Sequence, residues 1–224
     1  MGLEFLASQL KESVESGVRA RNGRFGPALA IEEPVSIVSP VVFASPHSGR
    51  LYPDSFMETC AVDRMALRRV EDAYVDRLLS DVPQSGAPVI RGLLGRTFID
   101  LNRAESEMDR DMFSNAPAHW TGNRSPRVAA GLGCIPRTAH RGVRIYRGRL
   151  AAEEATARLD DVYRPYHQAL DALLRRAHAM FCKSWLVDCH SMPSAGGAPL
   201  RDGERQIDFV LGDRFGSSCS PYIT

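Results

Sequence analysis

Two short apolar runs in this chain end in the same way. Pro40-Val-Val-Phe-Ala-Ser45 stops at Pro46-His47-Ser48-Gly49, and Lys183-Ser-Trp-Leu-Val-Asp-Cys189 stops at His190-Ser-Met-Pro193. A compact apolar run of this length, bounded by turn residues, reads as a buried strand. Each strand therefore delivers a histidine at its C-terminal end. Between and around them the period changes to that of a helix. Met65, Leu67, Val70, Tyr74, Val75, Leu78 and Leu79 predict a helix over 63–79. Leu159, Val162, Tyr166, Leu170, Leu173, Leu174 and Ala177 predict a long one over 150–181, kinked or divided by Pro165. Further strands are expected over 87–90, 96–101 and 207–212. Strands alternating with helices of this length specify an α/β sheet with helices on both faces.

At 224 residues the chain is long enough to bury one core without disulfides or a structural metal. Leu3, Leu6, Leu10, Val14 and Val18 lie at helical spacing ahead of breaks at Gly23, Gly26 and Pro27. We therefore expect an N-terminal helical arm over 1–30, followed by a single α/β domain over 31–224. The arm would pack on that domain or on a partner subunit, which leaves a homo-oligomer open. Acidic and basic residues nearly balance, 27 against 28, which argues against nucleic acid as a partner. No run is long and apolar enough for a membrane span. Five cysteines without a CxxC pair, and no leader pattern, point to a reduced, cytoplasmic protein.

In an open α/β sheet, sites form in the crevice outside the carboxyl ends of the strands. If the two histidine-ended strands are parallel neighbours, His47 and His190 meet there. Two imidazoles and a carboxylate, with a position left for water, form the donor set of a catalytic zinc. Glu71 and Asp72 are the nearest candidate carboxylates. Asp188, two residues before His190, is placed either to orient an imidazole or to serve the structure alone. A second constellation is Arg96-Thr-Phe-Ile-Asp100-Leu-Asn102-Arg103, which suits a carboxylate clamp, with Asp100 orienting an arginine. It can equally be a buried structural Asp–Arg pair. Met112 to Ala152 holds seven arginines and no acidic residue, either a solvated loop or a lid over an anion. His119, His140, His167 and His178 read as surface or packing residues. Cys189 adjoins His190, but adjacent strand residues point to opposite faces, so the two cannot form a nucleophile–base pair.

Several of these strings occur together and in order. They are Ser45-Pro-His-Ser-Gly49, Glu71-Asp72 with Val75-Asp-Arg-Leu78, Arg96-x-x-Ile-Asp-Leu-Asn-Arg103, Gly131-Leu-x-x-Ile-Pro136, Tyr166-His167, Asp188-Cys-His-Ser191, and Asp208-Phe-x-Leu-Gly212 with Gly216-x-Ser-Cys219. The set resembles the N-formylglutamate amidohydrolase family. The Asp-Leu-Asn-Arg string also resembles that of zinc carboxypeptidases. The resemblance implies a three-layer αβα fold around a mixed, largely parallel sheet. It implies one divalent metal ion, zinc, and hydrolysis of N-formyl-L-glutamate to formate and glutamate, a late step in histidine degradation.

Carried onto this chain, His47, Asp72 and His190 are the expected metal ligands, with Glu71 second to Asp72. Asn102 and Arg103 are the expected holders of a substrate carboxylate, with Arg137 from the arginine-rich stretch as an additional one. Arg96 is expected to steady the oxyanion. The resemblance also implies a general-base glutamate beyond residue 224, with Glu71 or Glu204 as substitutes. Other outcomes stay open: a small-molecule N-acyl amino acid other than formylglutamate, or a catalytically weak scaffold binding an acidic metabolite.

Overall fold

The computed structural model describes residues 18–118, 120, 125–192 and 208–220. The chain divides after Ser191 into two units. The first is built on a five-stranded sheet of order β1-β2-β4-β3-β5. Its strands are β1 (Val18–Gly23), β2 (Gly26–Glu32), β3 (Val41–Ser45), β4 (Val89–Gly92) and β5 (Trp185–Asp188). The half that bears the two histidines is parallel, β3 pairing with both β4 and β5. The other half is antiparallel, β2 pairing with β1 and β4.

Side chains alternate across β3. Val42 and Ala44 enter the larger core, with Ile90, Phe56, Phe98 and the long helix, while Phe43 packs against Val75, Leu79 and Val89 on the opposite side. Two covered faces make the sheet the middle of three layers. The short helices are α1 (Asp54–Thr59), α2 (Arg64–Arg68), α3 (Val75–Leu78) and α4 (Pro126–Ala129). The long helical segment runs from α5 (Ala152–Arg158) through a π turn (Leu159–Tyr163) into α6 (Arg164–Phe181). Leu159, Val162, Tyr166, Leu173 and Ala177 supply its buried face, as their spacing predicts. Pro165 sits in the first turn of α6, just after the π turn, where its missing N–H costs least. No helix among the described residues is long and apolar enough to cross a membrane.

Four expected elements differ. The helical arm over 1–30 is not what residues 18–30 form: they belong to a β1–β2 hairpin, turning at Arg24-Phe25 with Gly26 at φ 92°. Gly23 and Gly26 therefore turn the chain back on itself, and Ala28, Leu29 and Ala30 are buried in the sheet. The rest of the arm, residues 1–17, lies outside the described residues. The helix over 63–79 splits into α2 and α3. Asp63 caps the first by accepting the Ala66 N–H at 2.8 Å. The intervening backbone is drawn aside because the Asp72 N–H donates to the His47 carbonyl at 3.0 Å, and Tyr74 turns left-handed at φ 67°. The segment 96–101 is a chain of turns instead of a strand. Its Asp100 N–H donates to the Cys134 carbonyl at 2.8 Å, and the Asp100 carboxylate takes the Asn102 N–H at 3.0 Å. In the second unit, Asp208–Gly212 forms no strand, and Ile207 lies outside the described residues.

Candidate metal centre

β3 and β5 are parallel neighbours, with Phe43 opposite Val187 and Ala44 opposite Asp188. Equal strand direction carries His47 and His190 out at the same end of the sheet. Their rings lie 4.9 Å apart. The turn bearing His47 is fixed locally: the hydroxyls of Ser45 and Ser48 hydrogen-bond at 2.7 Å in a buried setting. Gly49 comes so close to Leu93 and Leu94 that a Cβ would stand 2.4 Å from the Leu94 carbonyl oxygen. Only glycine permits that approach.

Asp72 enters from the loop between α2 and α3. Its Oδ2 lies 2.8 Å from His190 Nδ1 and 3.6 Å from His47 Nδ1. The ligand atoms of His47, Asp72 and His190 all lie within 4.8 Å of one another, a spacing that one metal ion can bridge. His47 is buried, and its Nδ1 has no hydrogen-bond partner. A buried, unpaired imidazole nitrogen facing a carboxylate is costly unless something else occupies its lone pair. The donors, two nitrogens and a carboxylate oxygen, fit zinc.

The opposite edge of each ring is also held. His47 Nε2 lies 2.6 Å from Asp100 Oδ1. His190 Nε2 donates to Asp188 Oδ2 at 2.9 Å and lies 2.9 Å from the Asn102 side-chain amide. Carboxylates in these places fix the tautomer that leaves both Nδ1 atoms facing inward. Asp100 also accepts from Arg96 Nη2 at 2.8 Å, and Arg96 Nη1 stands 4.0 Å from Asp72.

The electrostatics follow from this packing. Burial alone would raise the Asp72 carboxyl, but the hydrogen bond from His190 and the charge of the two neighbouring imidazoles outweigh it and hold it well below the usual range. Asp100 is likewise pushed up by burial and brought down further by His47 and Arg96. His190 is raised to about 9, chiefly by its hydrogen bonds to Asp188 and Asp72.

The other sequence candidates divide. Glu71 is turned away from the centre, accepting from Tyr52 Oη at 2.6 Å and Arg68 Nε at 3.2 Å. With both oxygens engaged there, it is neither a ligand nor a base in this geometry. Arg103 donates through Nη1 to the Asn102 carbonyl at 2.8 Å, and its Nε is buried without a partner. Arg137 pairs with Asp109 at 2.6 Å and lines a cavity with Arg144, Tyr146 and Arg149, none of them a residue of the centre. Glu204 lies outside the described residues. The Cys189 thiol is pushed up to about 11 by burial and by Asp188, and packs toward Val75 and Val89, away from His190. The place of Asp100 beneath His47 was missed by sequence reasoning, which paired it with an arginine alone. The available signal was a carboxylate inside an otherwise apolar Phe-Ile-Asp-Leu string.

A model of the N-formylglutamate amidohydrolase family matches residues 39–224. The chain belongs to that family. It is 31% identical over 188 residues to an N-formylglutamate deformylase of Pseudomonas aeruginosa, covering 82% of this chain and 63% of the relative. A deformylase of the same name from Pseudomonas putida is 28% identical over 187 residues, covering 82% and 62%. The chain thus spans under two thirds of either relative's length. The crystal structure of N-formylglutamate amidohydrolase from Ralstonia eutropha JMP134 superposes with a TM-score of 0.77 at 31% identity, over 88% of this chain and 70% of that one. A gene product of Agrobacterium tumefaciens shares the fold, with a TM-score of 0.53 at 19% identity over 74% and 56% of the two chains.

Proposed function

We propose that the chain hydrolyses the amide bond of N-formyl-L-glutamate, giving formate and glutamate, with a divalent metal ion at the centre. The observation that carries this reading is the buried, unpaired Nδ1 of His47 facing Asp72 and His190. The family, and the deformylase names of the two relatives, supply the substrate.

His47 and His190 through Nδ1, and Asp72 through its carboxylate, would hold the ion. When bound, a zinc ion supplies an acidified water and polarises a carbonyl, both of which an unreactive amide requires. Two neutral imidazoles and one carboxylate leave a net positive charge with a divalent ion, which favours an anionic substrate. Asp100 and Asp188 hold the Nε2 protons, so the imidazoles keep their orientation as charge develops. Arg96, steadied by Asp100, is the donor aimed at the oxyanion of the tetrahedral state. Asn102 and Arg103 hold the substrate carboxylate, the guanidinium offering two parallel donors.

The test is metal content of chelator-free protein, together with turnover of N-formylglutamate, N-formylaspartate and N-acetylglutamate. We expect about one zinc per chain and a preference for N-formylglutamate. Absence of stoichiometric metal, with no thermal stabilisation by added zinc, would sink the metal reading. A preference for either other compound would sink the substrate assignment.

A further inference from the structure

Arg96, Asp100, Asn102 and Arg103 all ride on the turns of residues 96–103, which no strand pairing holds in place. Besides the Asp100 N–H bond to the Cys134 carbonyl, three side chains of one helical segment hold it. Arg158 Nη1 donates to the Phe98 carbonyl at 2.9 Å, His167 Nε2 to the Leu101 carbonyl at 3.0 Å, and Tyr163 Oη to the Arg103 carbonyl at 2.7 Å. We propose that Arg158, Tyr163 and His167 are positioning residues, a three-point clamp that sets the geometry of the centre through the backbone of residues 98–103. The clamp rests on the metal reading for its catalytic consequence, while its geometry stands apart from it.

The π turn makes this arrangement. Residues meet along an ordinary α-helix at spacings of three and four, so Arg158 and Tyr163, five apart, would diverge. Here the Arg164 N–H bonds to the Leu159 carbonyl, an i to i+5 closure that widens the turn between them. Tyr163 and His167 then follow at the regular spacing of four, with ring centres 4.3 Å apart. Arg158 is fully buried and cannot swing. Its guanidinium lies 4.2 Å from the Phe98 ring centre and 5.1 Å from that of Phe56, and it also donates to Tyr146 Oη at 2.9 Å and Glu154 at 3.0 Å.

The Leu101 carbonyl is the decisive point. It lies between Asp100, which grips His47, and Asn102, which touches His190. Displacing it moves the supports of both imidazoles at once. The Arg103 carbonyl lies farther along, so Tyr163 acts on the substrate-holding arginine and not on the metal ligands. The two contacts are therefore separable.

The experiment uses the whole chain, first without metal. The Nε2 proton shared by His47 and Asp100 is observed as a low-field imidazole signal by NMR and assigned through its loss in D100N. In H167L we expect that signal to shift or vanish, and the zinc affinity, read by competition with a chromophoric chelator, to fall about tenfold or more. H167Q places an amide N–H at the Nε2 position and should restore both; H167N, whose amide stops short, should not. Y163F should keep the zinc affinity and kcat while raising KM for N-formylglutamate about threefold or more. An unchanged His47 signal in H167L or H167N would overturn the clamp, as would failure of H167Q to restore it in a folded protein. If the parent chain binds no zinc, the metal reading fails, while the His47 signal still decides the clamp.

Discussion

Nε2 of His47 and Oδ1 of Asp100 lie 2.6 Å apart, with both residues buried. The same carboxylate receives Arg96 through its other oxygen, so one acid orients the His47 imidazole and the Arg96 guanidinium together. Replacing it by asparagine keeps the shape but removes the charge that both partners need. D100N is expected to weaken zinc binding about 10–100-fold, the usual cost of losing a ligand's carboxylate partner. Chelator competition measures it directly. Zinc affinity equal to the parent's would show that His47 does not depend on Asp100.

The strand bearing His47 and the long helix are legible because burial against a sheet imposes its period on them; the strand bearing His190 is legible from its apolar composition, although Leu186 and Val187 are exposed at the edge of the sheet. Residues 96–101 carry a strand-like pattern, yet the Cys134 carbonyl captures the Asp100 N–H and the run becomes turns. The adjacent acids Glu71 and Asp72 pose the same difficulty. Nothing local decides which faces the centre; the bond from the Asp72 N–H to the His47 carbonyl does. The β1–β2 hairpin was hidden because Arg19, Arg21 and Asn22 give little apolar signal, while β1 joins the sheet by backbone pairing with β2.

Removing either imidazole tests the centre itself. H47A and H190A should each abolish zinc binding while leaving the far-ultraviolet circular dichroism of the parent. The two differ in stability. His47 is buried, so its loss leaves a cavity and strips Asp100 of a partner, whereas His190 lies at the rim. H47A should therefore melt at the lower temperature. Retained stoichiometric zinc in either variant would remove that residue from the ligand set.

Glu71 and Asp72 should separate cleanly when each is made an amide. Glu71 accepts from Tyr52 and Arg68, and E71Q weakens those contacts at a cost of about 1–3 kcal/mol in folding. Its zinc affinity should match the parent's. D72N should lose zinc binding, because an amide offers the ion no charge. Denaturant unfolding and zinc titration of the same preparations read both quantities. Loss of zinc in E71Q at unchanged stability would reverse the assignment.

The raised pKa of His190, about 9, gives the centre a definite pH dependence. Without metal, His190 is protonated at neutral pH and bonded to Asp188 and Asp72. A folded pKa above the unfolded value of about 6.5 contributes stability in full below pH 6.5 and loses it as pH rises through 9. The group is partly open to solvent, so screening limits this to about 1 kcal/mol or less. A zinc ion held by His190 Nδ1 would displace the same proton. Its affinity should therefore climb about tenfold per pH unit between 7 and 9 and then level off. A flat affinity over that range would mean that His190 does not carry the competing proton.

Gly49 gives the sharpest test of how the turn holds His47. A Cβ at this position would stand 2.4 Å from the Leu94 carbonyl oxygen and 2.6 Å from the Leu93 carbonyl carbon. Both are backbone atoms of the chain just past β4, tied in turn by the Leu51 N–H to the Leu93 carbonyl at 3.0 Å. Neither can yield as a flexible side chain would, so the His47–Gly49 turn must move. We expect G49A to lose about 3 kcal/mol of stability, at the upper end of overpacking costs. Zinc affinity should fall with it, because His47 is two residues away on the same turn. G49S should behave as badly or worse, since the clash is with any Cβ and not with its chemistry. A G49A protein with parental melting and parental zinc affinity would show that the turn relaxes freely and that the close approach does not set His47.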